Sequence, residues 1–322
     1  MTACVAGAQN INAAGATFPE PIYTKWFAEY AQAHPSVHIN YQPIGSGGGI
    51  RQVSDGTIDF GASDGPMTDQ QLSEAKVKVM HIPTVLGAVV PIYNLPGISN
   101  DLNFSGDVIA DIYLGKITKW SDPRFAKDNP GVKFPDKPIL PVYRSDGSGT
   151  TFIFTDFLSK VSPAWKAGPG NGTAIKWPAG VGGAKSEGVA ATVRGTPGAF
   201  GYVELVFATQ NKIQYGAVRN EAGKFLKATT DGVTQAAASM KAMPADFRVS
   251  IVDAPGAGSY PISSFTWLLI PTHFIDPAKG KAVADFLKWM LTNGEPEAAP
   301  LGYAPLPKAV ADKVALAIKT VQ

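Results

Sequence analysis

Apolar residues first recur at helical spacing. Ile22, Trp26 and Tyr30 fall four apart and put one apolar face on a helix that starts near Pro19 and ends before Pro35. The period then drops to two: Val37, Ile39 and Tyr41 alternate with polar neighbours as strand residues do, and the run stops at Gly45-Ser46-Gly47-Gly48-Gly49. A short helix through Ile50 and Val53 is expected next. After Asp55-Gly56 a second strand, Ile58-Asp59-Phe60, leads into the loop Gly61-Ala62-Ser63-Asp64.

Strand, glycine loop, helix and strand make the unit of a parallel sheet wrapped by helices, and the order recurs. Ile139, Leu140, Val142 and Tyr143 read as a strand, and Arg144-Ser145-Asp146-Gly147-Ser148-Gly149-Thr150 reads as its exit loop. Phe152, Ile153, Phe157 and Val161 mark the helix that follows. Near the end Val283, Phe286, Leu287 and Met290 repeat at helical spacing with Gly294 as a stop, and Val310, Val314 and Ile318 mark a last helix. The fold class is α/β. Ligands in such sheets bind beyond the carboxyl ends of strands, where the three polar loops lie.

Composition allows one large core or, more naturally, two, because 322 residues with 45% hydrophobic and 17% charged content hold enough apolar material, and two lobes are the expectation. Lys plus Arg number 28 against 26 Asp plus Glu, so no global field attracts nucleic acid or an anionic membrane surface. No nucleic-acid partner is expected, and an anion site must be built locally. No stretch approaches the roughly 18 consecutive apolar residues that span a bilayer. The single cysteine excludes an intramolecular disulfide, and the four histidines are scattered without the spacing of a zinc cluster, so neither metal nor cofactor is expected. Met1-Thr2-Ala3-Cys4-Val5 lacks the basic and apolar stretches of a secretory signal, and no signal peptide is expected in this chain. Thr2-Ala3-Cys4 resembles the end of a bacterial lipoprotein cleavage site, which makes Cys4 a candidate for a lipid anchor; an inert cysteine in a frayed tail is the alternative.

The loop Asp146 to Thr150 lies between a strand and a helix start, where free N–H groups and the helix dipole favour an anion. Gly147 and Gly149 let the backbone approach a ligand, and Ser148 and Thr150 add hydroxyls, although Ser148 could serve only as a helix cap. Gly45 to Gly49 has the same position but lacks the endings of nucleotide and dinucleotide loops, which disfavours ATP and NAD; a plain flexible turn is the alternative. Arg144 can grip phosphate oxygens with its fork while Asp146 orients it, or the two can form only a surface ion pair. Asp64 is the informative residue. A carboxylate among anion loops repels its ligand unless the ligand carries a proton, as phosphate does near neutral pH and sulfate does not. Gly61-Ala62-Ser63-Asp64-Gly65 also fits the nucleophile elbow of a serine hydrolase, with Asp253 and His273 downstream in the required order. Pro66 and the lack of a histidine loop near the C-terminus weaken this alternative, a phosphatase or serine hydrolase using Ser63.

Taken together, Ala14-Gly15-Ala16-Thr17-Phe18-Pro19, Ile44-Gly45-Ser46, Asp59-Phe60-Gly61-Ala62-Ser63-Asp64 and Arg144 through Thr150 resemble the signature segments of the periplasmic phosphate-binding proteins that serve phosphate-specific ABC transporters. The resemblance covers nearly the whole chain and is weakest between about Gln210 and Gly258. It implies a Venus-flytrap fold with two hinge strands, residues 1–84 with 258–322 forming a first lobe and 85–257 a second. It implies phosphate in the cleft, held by Thr17, Phe18, Ser46 and Asp64 from the first lobe and by Arg144, Ser148, Gly149 and Thr150 from the second, with Asp146 as partner of Arg144. It further implies a monomeric, non-enzymatic, periplasmic or extracytoplasmic receptor for inorganic phosphate that discriminates against sulfate and delivers to a membrane permease. A receptor for another oxyanion is the remaining alternative, against which Asp64 argues.

Overall fold

The computed structural model describes residues 9–99 and 101–321. Cys4 lies outside the described residues. β1 (Gln9–Gly15) leads into α1 (Glu20–Ala33), which starts behind Pro19 and buries Ile22, Tyr23, Trp26, Phe27 and Tyr30, the face that the four-residue spacing predicts. β2 (Val37–Pro43) returns parallel to β1, and α2 (Ser46–Asp55) connects it to β3 (Phe60–Ser63), also parallel to β1.

Two boundaries differ from the sequence expectation. Gly47 to Gly49 form the first turn of α2 instead of a loop ahead of it. A Cβ on Gly49 would fall 2.7 Å from Gly15 Cα and 2.7 Å from the Ala62 carbonyl, so the entropic cost of glycine in a helix is offset by seating α2 directly on β1 and β3. The strand β3 begins at Phe60 and takes in Gly61 to Ser63. Asp59 is drawn aside, where its carboxylate accepts from the Asn12 N–H and pairs with Lys279.

β4 (Val79–Tyr93) is fifteen residues long. β5 (Leu140–Arg144), β6 (Val181–Gly183), β7 (Ala199–Glu204) and β8 (Ser263–Pro271) complete an eight-stranded sheet of order β2-β1-β3-β8-β4-β7-β5-β6. β5 is parallel to both β6 and β7. β4 pairs antiparallel with β8 from Val79 to Ala88 and with β7 from Val89 to Tyr93, so one strand belongs to both halves of the sheet. Its nearly unbroken apolar run is covered on both faces, which is why the sequence there shows no alternation.

Each half carries its own group of ring contacts within one continuous apolar core. Tyr23, Tyr41, Phe60 and Phe286 surround Phe27 in the first. Phe154, Trp177, Phe200 and Tyr202 surround Tyr113 in the second. Such ring pairs contribute about 0.5–1.5 kcal/mol each beyond area burial. The protein is thus a two-lobed α/β fold in which the halves share β4 and β8 closes the first. The late helix Pro277–Trp289 continues into a π turn, Met290–Gly294, and on into 3-10 turns, Glu295–Glu297 and Ala299–Leu301, so Gly294 is not the stop the sequence suggests; it keeps right-handed helical angles, and the path turns left-handed only at Gly302.

Candidate functional site

Four helices begin just beyond the carboxyl ends of parallel strands: α1 after β1, α2 after β2, α3 (Gly149–Val161) after β5, and α4 (Lys185–Gly195) after β6. Each offers unpaired N–H groups and the positive end of its dipole. Contacts among their first residues bring the four ends together. Gly47 N–H donates to the Gly147 carbonyl at 2.8 Å, and Thr17 Oγ1 lies 2.9 Å from Ser186 Oγ. A Cβ on Gly149 would fall 2.5 Å from Ser46 Oγ and 2.6 Å from Asp64 Cβ, so only glycine fits between α3 and the first lobe. The lobes are closed on one another.

Arg144 ends β5 and is buried. Its Nε donates to Asp146 Oδ1 at 2.8 Å and its Nη2 to Asp146 Oδ2 at 2.5 Å, the paired geometry of an oriented fork. Asp146 Oδ1 also accepts the Lys185 N–H at 2.9 Å. Burial pushes the Asp146 carboxyl up, but the bonds and charge of Arg144 outweigh it and hold the group below the ordinary range. Arg144 Nη1 reaches across the cleft to Thr17 Oγ1 at 3.2 Å and meets Ser186 Oγ at 3.2 Å.

Asp64 follows β3 and is fully buried. Its Oδ1 accepts from Thr266 Oγ1 at 2.8 Å, and Ser46 Oγ lies 3.5 Å from Oδ2 while accepting the Asp64 N–H at 3.2 Å. Burial drives its carboxyl up to about 7, while Thr266, the Arg144 charge and Ser46 pull the other way. The group therefore changes charge near neutral pH.

Ser148 caps α3, its hydroxyl accepting from the Thr151 N–H at 3.1 Å, as the capping alternative requires. Thr150 Oγ1 is buried and has no hydrogen-bond partner among the described residues, an uncompensated donor of the kind that a ligand satisfies. Phe18 turns its carbonyl to Tyr303 Oη at 2.7 Å and packs its ring near Tyr303 and Gly87, so its N–H is the group it can offer the cleft. All eight candidate residues and Asp146 thus gather at the meeting of the four helix starts.

Three contributors escape the sequence reading. Thr266 comes from the buried strand β8, Ser186 from the start of α4, and Tyr202 from β7, whose hydroxyl accepts the Arg144 N–H at 3.2 Å. The serine-hydrolase arrangement is not assembled. Ser63 Oγ donates to the Gly65 carbonyl at 2.5 Å, and His273 lies with Gly56, Ile58 and Asp59 at the opposite end of β3.

A closed cleft at the convergence of four helix starts, shared by two lobes of one sheet, defines a two-lobed solute-binding protein. The PBP superfamily domain matches residues 3–293. The phosphate-binding protein PstS of Xylella fastidiosa strain Temecula1 is 45% identical over 92% of this chain and 81% of its own, and PstS of Pasteurella multocida strain Pm70 is 44% identical over 97% and 91%. Among solved structures, the high-affinity periplasmic phosphate-binding protein PfluDING, bound with phosphate, is 20% identical with a TM-score of 0.76, covering 96% of this chain and 93% of its own. The chain belongs to the PBP superfamily and, within it, to the family of PstS phosphate-binding proteins. It is accordingly a binding protein and not an enzyme.

Proposed function

We propose that the cleft captures one inorganic phosphate, discriminates against sulfate, and hands its ligand to the transmembrane permease of an ABC importer. Thr17 and Phe18 supply backbone N–H groups and the Thr17 hydroxyl, and Ser46 supplies its hydroxyl and N–H. Arg144, Ser148, Gly149 and Thr150 close over the anion from the other side, with Asp146 fixing the Arg144 fork. Two lobes, residues 1–84 with 258–322 and residues 85–257, move about crossings that lie side by side: β4 changes partner between Ala88 and Val89, and Val89 N–H meets the Ile262 carbonyl at 2.9 Å. Contacts available only on closure shift the equilibrium toward the form that docks on the permease. The protein works as a monomer outside the cytoplasm.

The observation that carries this reading is Asp64, a fully buried carboxylate within a ring of anion donors. A ligand O–H satisfies it with a strong charge-assisted bond, whereas an unprotonated oxyanion meets an uncompensated repulsion. Calorimetric titration of phosphate-stripped protein tests the reading. Tight one-to-one binding, weakened in Arg144→Ala by about 1.5–3 kcal/mol, is the expected result; no heat with phosphate, or an affinity untouched by the substitution, refutes it.

A further inference from the structure

Ser186 is fully buried, yet it is the second residue of a helix whose first residue, Lys185, faces solvent in part. β6 runs parallel to β5 with Gly183 opposite Arg144, so the chain turns into α4 directly beside the guanidinium. Gly183 makes that turn possible, because a Cβ there would lie 2.7 Å from the Val189 nitrogen. Asp146 Oδ1 accepts both Arg144 Nε and the Lys185 N–H. One carboxylate oxygen thus fixes the fork of Arg144 and the start of the helix that carries Ser186.

The Ser186 hydroxyl completes a triangle with sides of 2.9 Å to Thr17 Oγ1, 3.2 Å from Ser186 to Arg144 Nη1, and 3.2 Å from Thr17 to the same nitrogen. Arg144 donates into both hydroxyl oxygens, having no acceptor of its own. Each hydroxyl therefore keeps its proton to give away. One proton is used between the two oxygens, and the other remains available to a further acceptor. Thr17 belongs to the turn between β1 and α1, Arg144 and Ser186 to the other half of the sheet, so the triangle exists only when the halves are closed.

We propose that Ser186 is the latch residue of the cleft, a positioning group whose hydroxyl ties Thr17 to Arg144 across the closed lobes and slows the escape of bound phosphate. The inference rests on phosphate being the ligand for the rate it names, but not for the closure it predicts.

Stopped-flow release of phosphate from the full chain tests the first part. Ser186→Ala is expected to speed dissociation about five- to tenfold, the scale of one or two lost hydrogen bonds, with association nearly unchanged. Ser186→Thr, which keeps the hydroxyl, restores slow release. In a Thr17→Val background Ser186→Ala adds little, because the shared contact is already gone. Unchanged release in Ser186→Ala, or an equal effect in both backgrounds, overturns the latch. Small-angle X-ray scattering of phosphate-stripped protein separates this from the ligand assignment: Ser186→Ala shifts the population toward a larger radius and Ser186→Thr does not. If wild-type protein binds no phosphate yet Ser186→Ala shows that shift relative to it, the phosphate reading fails and the latch stands; identical scattering from all three proteins sinks the latch.

Discussion

Thr266 Oγ1 donates to Asp64 Oδ1 at 2.8 Å, across 202 residues of chain. The bond commits one carboxylate oxygen to the protein and leaves Oδ2, with Ser46 only at 3.5 Å, as the oxygen that can accept a proton from a ligand. β8 pairs with β3 in a register that sets Trp267 opposite Ser63, which places the neighbouring Thr266 against Asp64.

Thr266→Val removes a donor that favours the ionised carboxylate. Asp64 already titrates near 7 because burial outweighs Thr266, Arg144 and Ser46, so the substitution moves it higher still. The acceptor role requires the ionised form, which is depleted first at the acid side. The ratio of mutant to wild-type phosphate affinity is therefore lower at pH 6 than at pH 8, with an overall loss of about 1–3 kcal/mol. Calorimetry at the two pH values reads this ratio, from which the ligand's own titration cancels. A ratio independent of pH contradicts the role given to Thr266.

Gly149→Ala places a methyl group within 2.6 Å of Ser46 Oγ and Asp64 Cβ, atoms of the facing lobe, without touching the core of either lobe. The expected outcome is a selective block of closure. Phosphate affinity falls at least about tenfold, equivalent to about 1.4 kcal/mol or more, and phosphate no longer compacts the protein in scattering. The melting temperature without ligand stays near that of wild type, because alanine is well accepted in a first helical turn. A parallel loss of melting temperature would mean that the glycine serves folding instead.

Glu295 accepts the Leu306 N–H at 3.0 Å through Oε2, while its buried Oε1 has no partner among the described residues. Burial raises its carboxyl from 4.5 to about 8, against the opposing Leu306 bond. A raised folded-state value means that the native protein holds a proton which the unfolded chain releases above about 4.5. The stabilising contribution is complete below that pH and is lost as pH climbs through about 8, at up to about 1.4 kcal/mol per pH unit. Glu295→Gln abolishes the titration. Denaturant unfolding at pH 5 and pH 8 should find the variant gaining on wild type as pH rises; a constant difference would remove Glu295 from the pH dependence.

The legible parts of the molecule are those where flanking patterns announce them. The loop Arg144 to Thr150 stands between the strand residues Val142 and Tyr143 and the helix residues Phe152 and Ile153, so a strand-to-helix junction could be placed there from the sequence. Asp64 was legible by its chemistry, since a carboxylate among anion loops demands a reason. Thr266 was not, because every residue of β8 is buried and alternation gives no clue to what a single hydroxyl faces. Ser186 follows a strand of three residues, too short for any period to register. Gly47 to Gly49 read locally as a turn, and the close seat of Gly49 against Gly15 and Ala62, which no local pattern announces, belongs instead to the first turn of α2.

The central claim is that Asp64 selects the ligand by its proton. Side-by-side calorimetric titration of wild type and Asp64→Asn with phosphate and with sulfate at pH 7.5 tests it most directly. Wild type is expected to bind phosphate without measurable sulfate binding, and Asp64→Asn to gain more for sulfate than it loses for phosphate. An unchanged preference in Asp64→Asn, or sulfate bound by wild type as well as phosphate is, contradicts it.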